Sequence, residues 1–335
     1  WLARATPVPV KGAEARDFRL TPDDLVLCLI SGGGSSLASQ PLPVLTFEQK
    51  RAAANFLIRQ GADIREINCV RKHLSRIKGG RLAKRAQPAR VITLSISDVP
   101  GDDPAVIGSG PTVPDPSTLA DARAIVAKYK LALPDAIARA LNDPANESPK
   151  PGDAAFANTE YKLIARPADA FLAAEAVVRD AGYEPVMLGD RVEGEAREVA
   201  AQQAEYALSL QRNGRKAVIL SGGELTVTIR GQGRGGPNQE YALALAAALN
   251  GAPGIAAQAG DTDGTDGGGG SATDPAGAVI DPTTLARARA LGLDPAAFLA
   301  NNDSTGFFSK LGDLVETGPT CTNVNDFRAI VVDRL

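Results

Sequence analysis

Two nearly continuous apolar runs of strand length end in the same three residues, Ser-Gly-Gly. The first run, Leu25–Ile30, leads into Ser31, and the second, Val218–Leu220, leads into Ser221. Continuous apolar runs are typical of parallel strands that are covered on both faces. Ligands of open α/β sheets bind at the carboxyl ends of strands, so both glycine turns are predicted to lie at a ligand-binding edge.

Apolar runs of strand length alternate with helical patterns along most of the chain. Further strands are predicted over residues 90–97, 161–165, 184–188, 225–229, 255–259 and 327–332. Helices are predicted over residues 46–60, 119–131, 168–180, 195–210, 241–249 and 285–291, with a short one near residue 296. Thr46 and Gln49 have the spacing of a capping box at the start of the first of these helices. The alternation predicts an α/β fold with parallel strands.

The chain length indicates about two domains. At 335 residues, the chain is longer than one typical domain. The polar turn Asn213-Gly214-Arg215 is the predicted boundary. We therefore predict an N-terminal Rossmann-like α/β domain with a mostly parallel sheet over residues 1–212, and a C-terminal α/β domain over residues 213–335.

The composition is that of an ordinary globular protein. The net charge of −3 provides no general attraction to nucleic acid or to an anionic membrane. No apolar run approaches the ~20 residues of a membrane span, and no signal peptide is visible. Three widely separated cysteines indicate free thiols of a reducing compartment, so we expect a cytoplasmic protein. The chain begins at Trp1 and its only methionine is Met187, so we expect further natural residues before Trp1.

Several common kinds of active site are excluded by the motifs. No P-loop sequence is present. The single histidine, His73, lies in a basic run and does not accompany a Gly-x-Ser-x-Gly elbow, which argues against a Ser-His-Asp hydrolase. One histidine and three scattered cysteines do not supply a zinc site.

The second glycine-rich turn, residues 231–236, is the strongest candidate for chemistry. It carries Arg234 and opens a helix, an arrangement that suits a phosphate because glycines admit a close anion and a guanidinium binds its oxygens. An ordinary turn with a solvated arginine is the alternative. The turn also matches the dinucleotide fingerprint Gly-x-Gly-x-x-Gly, but Asp261 comes 30 residues after Gly231 where ~20 are expected.

Charged side chains form three other candidate groups. Asp98 follows one strand, and Asp261, Asp263 and Asp266 follow another, where they could hold Mg²⁺ together with phosphate oxygens or form plain turns. The basic run over residues 68–85 is either a solvated helix face or a surface on which Lys72, His73 or Lys78 faces a polyanion.

Taken together, the motifs resemble the class II glycerate kinases, the glycerate 2-kinases of the MOFRL type. The resemblance runs in order from about residue 24 to residue 332, and it includes the motifs at residues 31–35, 68–82, 97–102, 222–224, 233–240, 259–264 and 317–327. The family also has an N-terminal Gly-Lys-Ala motif whose lysine faces the cleft, and Lys11-Gly12-Ala13 departs from it.

The resemblance implies two α/β domains with an active-site cleft between them. It implies phosphorylation of D-glycerate to 2-phosphoglycerate with ATP and Mg²⁺. From the charge, the hydropathy and the cysteines, we expect a cytoplasmic enzyme without nucleic-acid or membrane partners. A homodimer is the expected assembly. Members often carry the name hydroxypyruvate reductase, so an NAD(P)H-dependent reductase is the alternative.

On this hypothesis, each candidate residue receives a role. We assign catalysis to Arg234, Asp261 and Lys72. Metal binding is assigned to Asp98, Asp263 and Asp266. Nucleotide and substrate binding is assigned to residues in the glycine turns and their surroundings, namely Ser31, Gly32, Gly33, Gly34, Ser35, Ser36, Gly222, Gly223, Glu224, Gly235, Gly236, Asn238 and Asn323.

Overall fold

The computed structural model describes residues 20–99, 101–131, 133–268, 271 and 273–334. The chain divides into two compact units, the first ending at Ile164 and the second beginning at Ala165. Residues 165–212, which the sequence assigns to the first domain, therefore belong to the second unit. The reason is their pairing, because the strand Glu184–Gly189 lies parallel to the strand Ala217–Gly223, and the intervening helix packs against the helix Pro237–Leu249.

The strands and helices are numbered here in chain order. The strands are β1 Leu25–Ile30, β2 Arg90–Ile96, β3 Thr159–Ala165, β4 Glu184–Gly189, β5 Gly194–Glu195, β6 Ala217–Gly223, β7 Leu225–Thr226, β8 Ile255–Asp261, β9 Gly277–Ile280, β10 Leu314–Val315 and β11 Asp326–Val332. The helices are α1 Gly34–Leu37, α2 Phe47–Arg59, α3 Ile64–His73, α4 Arg81–Ala86, α5 Leu119–Lys128, α6 Asp135–Asn142, α7 Pro167–Asp180, α8 Ala196–Arg212, α9 Pro237–Leu249, α10 Thr284–Ala290, α11 Pro295–Ala300 and α12 Ser304–Leu311.

The first unit contains a three-stranded sheet in the order β1-β2-β3. Strands β1 and β2 are parallel, with Leu25 opposite Arg90 and Ile30 opposite Ser95, as predicted for this domain. Because β1 and β2 are parallel, both end at the same edge of the sheet, which places the Ser31 turn and Asp98 at one end of the unit.

A separate apolar core lies among α2, α3, α5 and α6, where Leu57 and Ile137 are fully buried.

The second unit contains a six-stranded sheet in the order β10-β9-β8-β11-β6-β4. Among the described strands of this sheet, only the β4–β6 pair is parallel, since β11 runs antiparallel to both β6 and β8, and β9 runs antiparallel to both β8 and β10. The prediction of parallel strands thus holds for β1–β2 in the first unit and for β4–β6, and not for the rest of this sheet. Because β6 and β8 both oppose β11, their carboxyl ends meet at one edge, on either side of the first residue of β11.

Helix α9 lies at the centre of the second unit. Ten of its thirteen residues are buried, including Tyr241 and Leu245, and a helix that is covered on all sides is typical of a central core element. It begins at Pro237, four residues before the predicted start at Tyr241. Proline is well suited to the first turn of a helix because its missing N–H would have no helical partner there.

Local signals in the sequence account for several boundaries. The capping box of α2 is present as predicted, with the Gln49 N–H on Thr46 Oγ1 at 3.1 Å and the Thr46 N–H on Gln49 Oε1 at 2.9 Å. Helix α3, whose second half lies in the basic run that was interpreted as a possible helix face, begins at a second capping box formed by Asp63 and Glu66. The strand predicted over residues 225–229 is shorter in the structure, where β7 has only two residues.

No helix in the described part of the chain is long and apolar enough to cross a bilayer.

Candidate active site

Most of the predicted site residues lie at one edge of the second sheet, where β6 and β8 end. Asp261 lies opposite Asp326 on β11, and Asp326 lies opposite Gly223 on its other side. The loop that precedes β11 is tied to the loop that follows β8, because Thr262 Oγ1 donates to the Asn325 carbonyl at 2.8 Å and accepts from the Val324 N–H at 2.9 Å. The predicted residues therefore lie together at one edge of the sheet, and ligand binding there stays a prediction.

Asp261 is the most perturbed carboxyl group at this edge. Burial, together with the negative charges of Asp263, Asp326 and Asp266, raises its pKa to about 7. Its Oδ1 accepts the Asp263 N–H at 2.9 Å, which fixes the orientation of the carboxyl group. A carboxyl group that titrates near neutral pH can accept a proton from a substrate hydroxyl, which is the role predicted for Asp261.

Asp326 is held by a buried network that sequence reasoning did not identify. Arg328 is fully buried and its Nη1 lies 3.0 Å from Asp326 Oδ2. Asn238 Nδ2 donates to Asp326 Oδ1 at 2.7 Å. The available signal was Arg328 itself, a charged residue within the apolar strand β11. Asn238 was predicted to bind a ligand hydroxyl, but it is 1% exposed and its amide is already paired within the protein.

Asp266 was predicted to bind a metal, but the structure uses it to cap helix α9. Its Oδ1 accepts the Asn238 N–H at 3.0 Å, and its Oδ2 accepts the Gln239 N–H at 2.8 Å and Gln239 Nε2 at 3.0 Å. The carboxylate is 3% exposed. Both oxygens are committed to the first turn of the helix, where a negative charge is favoured by the helix dipole.

We expect Asp266→Ala to lower the free energy of unfolding by about 2–4 kcal/mol, because it removes a cap and leaves buried N–H groups without acceptors. The measurement is urea denaturation followed by circular dichroism. Asp294→Ala, which removes the cap of the exposed helix α11, is the matched control and should cost about 1 kcal/mol. A loss for Asp266→Ala no greater than that of the control would contradict the capping role.

The glycine-rich turn over residues 231–236 is closed against residues 301–304. The N–H groups of Gly231 and Gln232 donate to the side chains of Asn302 and Asn301, both at 3.0 Å, and the Gly233 N–H donates to the Asn301 carbonyl at 2.8 Å. These donors are therefore committed within the protein. The prediction that this turn cradles a phosphate with its backbone is wrong for these three groups.

The same turn presents the guanidinium of Arg234. Its backbone is anchored on both sides, since its N–H donates to Asp303 Oδ1 at 3.1 Å and its carbonyl accepts the Thr305 N–H at 2.9 Å. Its side chain is 71% exposed, with Nη2 3.5 Å from Asp274 Oδ1. A fixed backbone with an exposed guanidinium suits the binding of an anionic ligand, as predicted for this residue.

Four of the predicted binding glycines are required by close packing. A Cβ atom on Gly235 or Gly236 would overlap Ser304 or Asp266, respectively. A Cβ on Gly222 would lie 2.6 Å from the Phe171 ring, and one on Gly223 would overlap Val192. This packing is sufficient to explain the four glycines, and no bound ligand is needed to account for them.

The remaining polar groups of this edge come from three loops. Glu224 follows β6 and is exposed. Asp263 Oδ1 accepts the Thr265 N–H at 2.7 Å, and Asn323 Oδ1 accepts the Asn325 N–H at 3.0 Å. Within the described residues, no three His, Cys, Asp or Glu side chains converge in a group that could hold a metal ion by themselves.

In the first unit, the structure places the Ser31 turn beside a set of buried cations. Lys72, predicted to be catalytic, is 6% exposed and pairs with the fully buried Asp115 at 3.2 Å. This pairing indicates a structural role for Lys72. Lys78 and Arg71 instead reach the turn itself, where both donate to the Ser35 carbonyl.

Asp98, which was predicted to bind a metal, is half-buried, and burial raises the pKa of its carboxyl group.

Some predicted features cannot be placed. The Ser36 side chain, Pro100, Gly269–Gly270 and Lys11-Gly12-Ala13 lie outside the described residues.

Gly33 has a φ of +74°, which glycine adopts without the strain that a side chain would cause, so its position in the Ser31 turn is explained by backbone geometry.

Comparison with known proteins identifies the family. Residues 14–142 match the sequence model of a domain of unknown function, DUF4147, and residues 217–326 match that of the MOFRL family. A D-glycerate 2-kinase of Thermotoga maritima is 40% identical over 92% of this chain and 72% of its own length. This chain belongs to the class II glycerate kinase family. A glycerate 2-kinase of Pyrococcus horikoshii is 37% identical over 94% of this chain and 72% of its own length.

A solved structure supports the membership in the glycerate kinase family. The crystal structure of a glycerate kinase from Thermotoga maritima superposes with a TM-score of 0.84 at 39% identity, covering 94% of this chain and 74% of that one. A protein of Agrobacterium vitis that carries the provisional name hydroxypyruvate reductase is 52% identical over 99% of this chain and 77% of its own length. The two names thus occur within one set of related sequences, as the resemblance implied.

Proposed function

We propose that this chain transfers the γ-phosphoryl group of ATP to the 2-hydroxyl of D-glycerate. The observation that carries the proposal is its likeness, over more than nine-tenths of the chain, to proteins named glycerate 2-kinase and to a solved glycerate kinase. In this reaction, the hydroxyl oxygen forms a bond to the γ-phosphorus, the bond from that phosphorus to the β–γ bridging oxygen breaks, and ADP leaves.

Asp261 is the proposed acceptor of the hydroxyl proton. Its pKa of about 7 leaves the carboxylate available as a base at neutral pH while keeping it a stronger base than an ordinary aspartate. The hydrogen bond from the Asp263 N–H holds the carboxyl group in one orientation. Glu224 and Asn323, on the loops that flank the same strand ends, are the proposed partners of the ligand hydroxyls.

Arg234 is the proposed stabiliser of the transferring phosphoryl group or of the glycerate carboxylate. Phosphoryl transfer depends mainly on positioning and on neutralising charge, and a guanidinium supplies both. Its exposed side chain on an anchored backbone supports this role. In the first unit, the Ser31–Ser35 turn is the proposed binding site for the phosphates of the nucleotide.

The residues present fit a magnesium ion that is shared with the nucleotide. Mg²⁺ commonly takes one or two protein carboxylates and completes its coordination with phosphate oxygens and water, so a cluster of three acids is not required. Each unit offers one candidate carboxylate, Asp98 in the first and Asp263 in the second, since Asp266 is committed to capping α9. When bound, Mg²⁺ would neutralise the charge of the phosphates.

The proposed function is tested by a coupled assay of ADP release. We expect ADP to form when the chain is given ATP, Mg²⁺ and D-glycerate, with 2-phosphoglycerate identified as the product by its conversion through enolase. A reductase would instead consume NAD(P)H with hydroxypyruvate, and a protein that only binds nucleotide would do neither. Oxidation of NAD(P)H without ADP release would overturn the proposal.

A further inference from the structure

Lys78 is a deeply buried cation whose partners are all neutral. It is 1% exposed, and its Nζ donates to the Ser35 carbonyl, to Ser35 Oγ at 3.2 Å and to Ser109 Oγ at 3.3 Å. The two hydroxyls are themselves 2.6 Å apart. In the described parts of the chain, no carboxylate lies within ion-pair distance of Lys78.

Other positive groups surround Lys78, and they outnumber the acids. Lys50 from α2 is 5% exposed, and its Nζ donates to Ser39 Oγ at 3.4 Å. Arg71 from α3 donates its Nη2 to the Ser35 carbonyl at 3.2 Å. Lys72 uses the nearest buried carboxylate, Asp115.

Arg81, on α4, completes this group of cations. Its guanidinium donates to the carbonyls of Lys72, Ser75 and Asn146. The cluster therefore carries an excess of buried positive charge beside the Ser31 turn.

Burying a charge without a counterion destabilises a folded protein, so an uncompensated cluster indicates a ligand that supplies the opposite charge. Burial, together with the positive charges of Lys50, Arg71 and Lys72, lowers the pKa of Lys78 to about 6. Lys78 is therefore mostly neutral above pH 7 when no anion is bound.

We propose that Lys50, Arg71 and Lys78 form the subsite that binds the phosphate chain of the nucleotide, with Ser35 as the group that faces the anion and Lys78 as its buried counter-cation. This inference rests on the proposed kinase function, and it identifies the residues that bind the phosphate chain of the nucleotide. An anion beside Ser35 restores the charge balance and favours the protonated form of Lys78. Binding of a phosphate chain above pH 7 is therefore accompanied by uptake of a proton by Lys78.

The test is isothermal titration of the full chain with ATP and, separately, with tripolyphosphate, at pH 8 in two buffers of different ionisation enthalpy. Lys78→Met replaces the amine with an apolar side chain of similar length. We expect it to weaken binding of both probes by at least tenfold, as for loss of a charged hydrogen bond, and to remove the part of the proton uptake that belongs to Lys78. Lys50, whose pKa is lowered to about 8 by burial and by the charges of Arg71 and Arg81, supplies the rest. Because folding of the variant no longer has to bury or deprotonate this amine, we also expect its melting temperature without ligand to rise by about 2–4 °C.

Lys84→Met is the matched control, because Lys84 is an exposed lysine of the adjacent helix α4. It should change neither affinity nor proton uptake. A purely structural role for Lys78 predicts the opposite pattern in Lys78→Met, namely a lower melting temperature with unchanged affinity for the probes and unchanged proton uptake. That pattern overturns the proposal.

The two proposals fail in distinguishable ways. If the original chain releases ADP with glycerate but Lys78→Met binds ATP with unchanged affinity, the subsite is refuted and the kinase function stands. If no ADP is released yet tripolyphosphate binds and Lys78→Met abolishes that binding, the subsite stands without the kinase function. If the original chain binds neither probe, the subsite is refuted.

Discussion

Replacing Arg234 with alanine is expected to lower the turnover of glycerate phosphorylation by roughly 10³-fold, because the guanidinium neutralises charge on the transferring phosphoryl group. The fold should be unaffected. The side chain is 71% exposed, and the turn is held by backbone bonds to Asp303 and Thr305 that alanine retains. The measurement is kcat from the coupled ADP assay, alongside the melting temperature.

Arg230→Ala is the matched control, since Arg230 is an exposed arginine of the same loop and its N–H bond to Asn302 involves only the backbone. It should leave kcat close to that of the original chain. A reduction of less than about tenfold for Arg234→Ala would reject a role in neutralising the transition state. A rise in KM for glycerate with kcat unchanged would assign Arg234 to binding of the glycerate carboxylate instead.

Asp261→Asn is expected to lower kcat by roughly 10²–10⁴-fold, the range attributed to a general base. In the original chain, the base must be deprotonated, so activity should rise with pH and level off above the pKa of about 7. In Asp261→Asn, this limb of the pH profile should disappear. Asp180→Asn, which changes an exposed aspartate at the end of α7, is the control and should retain both the activity and the limb.

Stability provides an independent check on Asp261. Its pKa in the folded chain is raised above the ordinary value of 3.8, so the folded state binds more protons than the unfolded state between about pH 4 and pH 7. Stability conferred by the protonated carboxyl group is therefore lost as the pH rises through this window. At pH 8, Asp261→Asn should be more stable than the original chain, while being far less active. A variant that is both inactive and less stable at pH 8 would indicate damage to the fold rather than loss of a base.

Patterns within a few residues were sufficient to predict the elements that carry the site. The strands β1 and β6 and the turns that follow them form where the apolar runs predict, because strand formation and turn geometry depend on neighbouring residues. The prediction that both faces are covered holds for β6 but is wrong for β1, where Leu25 and Leu29 are exposed. The motifs were also sufficient to predict the family, since their residues and their order are properties of the sequence alone.

The role of each acid was a different matter, and the aspartates after β8 illustrate why. Asp261, Asp263 and Asp266 are similar in the sequence, yet Asp266 caps α9 while Asp261 lies beside Asp326. This distinction depends on which groups the fold brings within hydrogen-bonding distance. The Gly231–Gly236 turn is a similar case, because residues 301–304, far away in the sequence, take up its N–H groups.

The sequence by itself therefore determined the α/β class, most of the strands and helices, and the family. The tertiary structure alone decided that β11 lies between β6 and β8, that Arg328 is buried against Asp326, and that Lys78 reaches the Ser31 turn without a carboxylate among its described partners. The physical reason is that helices, turns and caps are stabilised by neighbours in sequence, whereas charge balance and pKa depend on residues that only folding brings together.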